Sequence, residues 1–262
     1  MPNFNILSSA IQRDRVRWLE LLMEWPGAPF SCYPSYLELF AEPGEIPLLL
    51  TRSTSQGQML LPIVLRAIPG ESEYIDAVGP YGYGSAYWHG DPAIRERFWN
   101  DVRSWAADLH VVSLVVRLPP LRSERTDWPF ARNPVMRNIV RKILPWDAMW
   151  MDFEHKVRKN YKRALGAGLA FRISGGMSAL PEFLPVYEET MHRNNAASRF
   201  LLTEGQLLSL GQELGDTCVV GIASLANDVV AAELCLVESS TLNSFLGGTR
   251  VDHFDARPND FL

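Results

Sequence analysis

Residues 217–225, 229–238 and 241–247 are three β-rich runs in immediate succession, and that succession limits the folds open to this chain. Strands separated by so few residues pair antiparallel, because a parallel return needs a crossover of a dozen residues or more. Asn227-Asp228 supplies turn chemistry between the first two runs. Ahead of this meander the pattern changes period. Residues 169–173 read as a short strand. Residues 180–194 read as a helix turning Phe183, Val186, Tyr187 and Met191 inward, and 203–214 as a second helix capped by Thr203. The second half is therefore strand, helix, helix and meander, an α+β plan.

The first half repeats the theme without repeating the sequence. Val16, Leu19, Leu22 and Met23 predict an amphipathic helix over 13–25, and a short helix follows Pro34 at 35–40. Residues 46–52 and 58–66 form a hairpin signal around Gly57, with Pro47 and Pro62 inside the strands. Asp91-Pro92 opens a helix reaching about Leu109. Residues 111–118 are a near-continuous apolar run, consistent with a buried strand. Residues 122–134 read as a loop, and 139–151 return to a strand-like pattern interrupted by Pro145. Two α+β units follow, with the boundary in 135–152 and the domains set at 1–145 and 146–262.

Near the start of the second unit lies the most basic stretch. Lys156, Lys159 and Arg163 fall on one stripe of a helix, and Arg158 and Lys162 on a second beside it. Asp152 is the expected N-cap, and Gly166 or Gly168 the expected end. Such a helix suits phosphate, pyrophosphate or a nucleic-acid backbone, or it is a solvated face with acidic neighbours. The formal net charge of the 262-residue chain is -5, so any nucleic-acid contact is local. Cys32, Cys218 and Cys235 have no paired spacing, which points to a reducing compartment. The first residues lack a signal-peptide pattern, and no apolar stretch approaches the roughly 20 residues of a membrane span. The expected location is the cytoplasm, and the oligomeric state is unknown.

A second irregular stretch runs from Asp76 through Pro80-Tyr81-Gly82-Tyr83-Gly84. Glycine lets backbone approach a ligand closely, and tyrosine offers a ring and a hydroxyl; a packed turn is the other reading.

The run from Lys156 to Ala164, then Gly168, then Phe183, Tyr187 and Thr190-Met-His-Arg-Asn194, then Gly247-Gly248-Thr249 and Arg257-Pro-Asn-Asp260, resembles the FemAB-like branch of the GNAT acyltransferases. Asp76 and the 80–84 loop look like the matching loop of that branch's first domain. The resemblance covers roughly 45–262. It implies two tandem GNAT-like domains with mixed, largely antiparallel sheets. It further implies transfer of an acyl or aminoacyl group to an amine, from acyl-CoA or aminoacyl-tRNA. The acceptor would be a peptidoglycan or polysaccharide precursor of the cell envelope, or a small molecule. No metal is implied. In this pattern a helix and further strands follow Arg257-Pro-Asn-Asp260, so the second domain is expected to be incomplete. The glycine-rich CoA signature is absent at 250–255, and no helical arm is visible in the second domain.

Such chemistry needs a proton acceptor, oxyanion donors and a phosphate site. Arg158, Lys159, Lys162 and Arg163 are the candidates for donor phosphates. Asp76, Tyr81, Tyr83, Arg193 and Asn194 are the candidates for the acceptor. Glu233, inside the apolar run 229–237, is the candidate base, unless strand alternation turns it to solvent. His155, His192 and His253 have no fixed-spacing partner, Asp252-His-Phe-Asp255 is a weak metal pattern, and Asp260 reads as a cap. The alternative is a non-catalytic GNAT-like binding module that keeps the cleft without chemistry.

Overall fold

The computed structural model describes residues 4–25, 27–121 and 125–262. The readings of residues 1–3 and of the loop start at 122–124 lie outside them. The chain divides into two compact units, Met1–Val135 and Met136–Leu262.

The first unit runs β1 (Phe4–Ser8), α1 (Gln12–Met23), a 3-10 turn at Phe30–Cys32, α2 (Pro34–Glu38), β2 (Ile46–Thr54) and β3 (Gly57–Ala67). It continues with β4 (Ile75–Val78), β5 (Ala86–Gly90), α3 (Ala93–Asp108), β6 (Val111–Val115) and β7 (Thr126–Asp127). The sheet order is β1-β2-β3-β4-β6, antiparallel except for the parallel β4–β6 pair. The β2–β3 hairpin is buried on both faces, which explains why both runs are apolar throughout. Leu48, Leu50, Leu61 and Ile63 join the core under α3, with Phe98 and Val102. Leu49, Leu60 and Val64 join the opposite core under α1, with Trp18 and Leu22. Trp18 is fully buried, and its indole N–H donates to the Cys32 carbonyl at 2.7 Å, so its polar tip is matched.

β4 and β5 lie along the same edge of β3. β4 opposes residues 64–67 and β5 opposes residues 57–60. Residues 79–85 loop out between them. Pro62, which has no N–H to give, stands where this ladder is interrupted.

The second unit runs α4 (Trp146–Asp152), α5 (His155–Gly166), β8 (Leu169–Gly175), α6 (Gly176–Arg193) and α7 (Glu204–Leu214). β9 (Cys218–Leu225), β10 (Asp228–Glu238) and β11 (Thr241–Thr249) follow, then 3-10 turns at Val251–Ala256 and Pro258–Asp260. The antiparallel order β11-β10-β9-β8 repeats the order β4-β3-β2-β1 of the first unit. The repeat lies in element order: strand, two helices, hairpin, strand. On one sheet face, Phe183, Val186 and Tyr187 of α6 and Leu207 and Leu210 of α7 are buried, with Val220, Ile222, Leu234 and Leu236 of the strands. Thr203 caps α7 as expected, in a capping box with Gln206. The other face is covered at one end, where Ala164 of α5 and Phe261 meet Ala223 and Ala231.

Four expectations need correction. Asp152 ends α4 and pairs with Arg141 at 2.7 Å, while Glu154 is the N-cap of α5 and makes no side-chain capping bond. Residues 139–145 form no strand, and Pro145 instead starts α4, whose Trp146 and Trp150 pack on Tyr161. β6 lies at the sheet edge, with Val112 and Val115 more than half exposed, so its apolar run does not mark a buried strand. The turn into β10 centres on Ala226-Asn227, because Leu225 pairs with Asp228.

Candidate functional site

The interrupted strand organises the first unit's candidates. Gly79 N–H donates to Val115 O at 2.8 Å and Gly84 N–H to Arg117 O at 2.9 Å, which anchors both ends of the 79–85 loop. The Tyr36 hydroxyl donates to Tyr81 O at 2.8 Å, and the Tyr81 ring packs on Phe40 with centroids 4.2 Å apart. Gly82 has φ +78, and a Cβ there would stand 3.2 Å from the Tyr36 hydroxyl, so this position suits glycine alone. Tyr81 is exposed and Tyr83 half-buried. Asp76, on β4, accepts a hydrogen bond from the Ser113 hydroxyl at 2.8 Å and faces Arg66 at 3.7 Å. Its carboxylate is tied into the sheet.

In the second unit the sheet face shared with α5 carries Glu233. Glu233 stands opposite Gly221 of β9 and Gly247 of β11. The carboxylate is half-buried, and neither cross-strand neighbour has a side chain to cover it. Glu233 thus sits in an apolar strand, half-buried, with the Phe171 ring and Leu262 3.4 and 3.7 Å from where a Cβ on Gly221 would stand. The β10–β11 register shifts between Leu234 and Cys235, so β11 bulges one residue past Glu233. Cys235 is next along this face. Burial, then the Glu233 carboxylate, then Cys218 push its thiol up to about 12. Burial pushes the Cys218 thiol up to about 11. Both stay protonated near neutrality and are poor nucleophiles.

The α5 cations divide by role. Lys159 and Lys162 are exposed, and Lys162 lies over the Trp150 ring at 5.9 Å. Arg163 is exposed and faces Asp255 at 3.8 Å. Arg158 is half-buried and donates to Trp150 O and Met151 O at 3.4 and 3.3 Å, closing the end of α4. Gly168, with φ +87, follows α5 as expected.

Arg193 donates to Thr249 O at 2.9 Å and stacks on Phe254 at 5.0 Å, and Asn194 is the C-cap of α6. Arg193 therefore ties α6 to the end of β11. His155 and His192 are exposed, and among the described residues no cluster of three or more metal-ligating side chains stands together. Two features escaped the sequence reading. The glycines flanking Glu233 are visible only once the strands are in register. His89, whose imidazole is held below its usual range by burial and then by Arg125, carries no motif.

No protein-family model matches the sequence, and no curated protein does. Solved structures do. FemX superposes with a TM-score of 0.60 at 10% identity, over 94% of this chain and 82% of its own. The fold is GNAT-like, in tandem. A C-terminal domain (DUF2156) assigned to a lysylphosphatidylglycerol synthetase of Agrobacterium fabrum shares this GNAT-like fold at a TM-score of 0.53. Its identity is 12%, over 95% of this chain and 72% of that one. The interrupted β4–β5 edge belongs to the first GNAT-like unit and Glu233 to the second.

Proposed function

We propose that the protein is an N-acyltransferase. It moves an acyl or aminoacyl group from acyl-CoA or aminoacyl-tRNA to an amine of a cell-envelope or small-molecule acceptor. The observation that carries this reading is the row Gly221–Glu233–Gly247, a half-buried carboxylate with a glycine on each side on the sheet of a GNAT-like unit. Glu233 accepts the proton as the amine nitrogen attacks the donor carbonyl carbon. The N–C bond forms, the C–S or C–O bond breaks, and the departing thiolate or alkoxide takes up a proton. Lys159, Lys162 and Arg163 hold donor phosphates, with Arg158 setting the α4–α5 corner. Asp76, Tyr81, Tyr83, Arg193 and Asn194 are the proposed acceptor contacts, with Asp76 and Arg193 acting through the segments they brace. The name of one structural neighbour, the C-terminal domain assigned to a lysylphosphatidylglycerol synthetase, supports the aminoacyl branch.

Titration with labelled tRNA at two salt concentrations, with CoA as competitor, separates the donors. Binding of tRNA that falls steeply with salt and resists CoA supports aminoacyl transfer. Displacement by CoA supports acyl-CoA. The Lys159→Ala/Lys162→Ala variant is expected to bind the donor at least tenfold more weakly, and unchanged affinity removes the phosphate assignment. With a donor and acceptor in hand, Glu233→Gln is expected to lower kcat by about 10²-fold or more at unchanged donor affinity.

A further inference from the structure

We infer that residues 137–163 form a docking surface for an anionic lipid bilayer. The segment carries eight Lys or Arg against three Asp or Glu, a net charge of +5 in a chain of net charge -5, which leaves -10 on the rest. Its apolar side chains are also outward. Ile139 is 100% exposed, Met151 73%, Ile143 66% and Trp146 51%.

These pieces form one surface. Arg141 bonds Asp152 at 2.7 Å and lies over the Phe153 ring at 4.5 Å, which holds the extended stretch against α4. Trp146 packs on Tyr161 with centroids 5.4 Å apart, which holds α4 against α5. Arg137, Lys142 and Lys156 are exposed beside the apolar group.

A nucleic-acid backbone would answer the cations but would give Ile139, Ile143 and Met151 nothing to bury against. A bilayer interface answers both: anionic headgroups meet Lys and Arg, the acyl boundary takes the aliphatics, and an indole sits at headgroup level. No helix among the described residues is long and apolar enough to cross a membrane, so the contact is peripheral. The surface shares Arg158, Lys159, Lys162 and Arg163 with the proposed donor site, while its apolar side chains serve no donor phosphate.

The test is co-sedimentation of the full chain with vesicles of equal parts phosphatidylglycerol and phosphatidylcholine, against pure phosphatidylcholine. Salt-sensitive binding to the mixed vesicles alone is expected, with a blue shift in tryptophan emission that Trp146→Phe removes. Arg137→Ala/Lys142→Ala is expected to weaken binding about fivefold per charge. Ile139→Asp/Ile143→Asp is expected to weaken it more than tenfold while leaving the melting curve unchanged, because both side chains face outward. Equal binding to neutral vesicles, no binding to either, or binding unchanged in the isoleucine variant overturns the inference. Capture of tRNA with vesicles left unbound overturns it in favour of a nucleic-acid surface.

Discussion

At the residue scale, two side chains hold conformations or protonation states that cost stability. Ala226, in the turn between β9 and β10, has φ +54. A left-handed L-residue with a Cβ costs roughly 1 kcal/mol or more. Ala226→Gly is therefore expected to raise stability by roughly 1 kcal/mol in urea unfolding, and Asn227→Gly to give no such gain. His89 packs edge-on against Trp25, ring centroids 4.4 Å apart. Burial first, then Arg125, lowers its proton affinity below the ordinary value of 6.5. The unfolded chain binds that proton more readily. The stabilising contribution is thus complete above pH 6.5 and is lost as pH falls through the folded value. Tm is expected to fall on acidification from pH 7 to pH 5, and less steeply in His89→Asn.

At the element scale, β10 is the strand on which the candidate chemistry depends. Glu233 and Cys235 lie two residues apart on one face, and the carboxylate helps keep the thiol protonated. A thiol raised from 9.0 to about 12 holds about a thousandfold less thiolate at pH 8. Alkylation of Cys235 by iodoacetamide, followed by mass spectrometry, is expected to be slow in the native protein and several-fold faster in Glu233→Gln. An unchanged rate would separate the two groups. The facing helix sets a second constraint. A Cβ on Gly248 would overlap the Val186 carbonyl of α6, so the helix reaches β11 only because no side chain stands there. Gly248→Ala is expected to destabilise by about 1–3 kcal/mol in urea unfolding.

At the scale of the whole molecule, each unit has its own core. Leu50, Phe98 and Trp18 belong to cores of the first, and Ala164, Ala231 and Phe261 to one of the second. Calorimetry is expected to resolve two transitions, with Gly248→Ala shifting one of them. Trp146 and Trp150 are the tryptophans of the second unit, so emission follows chiefly the first. A single transition moving as a whole would mean that the units unfold together.

The sequence by itself determined the types and order of most elements. Local rules suffice for these: β-rich apolar runs bounded by turn residues in β2, β9 and β10, period 3.6 in α1 and α6, the Thr203 cap of α7, and glycine after α5. It also carried the resemblance whose GNAT-like fold the structure bears out. The tertiary structure alone decided what depends on register. Residues 79–85 leave the sheet because β4 and β5 pair with different ends of β3, and nothing local says so. Glu233 has no cross-strand side chain beside it because Gly221 and Gly247, distant in sequence, fall there. The apolar run of β6 ends as an exposed edge, and 139–145 is drawn into no sheet, because pairing needs a partner strand and neither apolar content nor alternation supplies one.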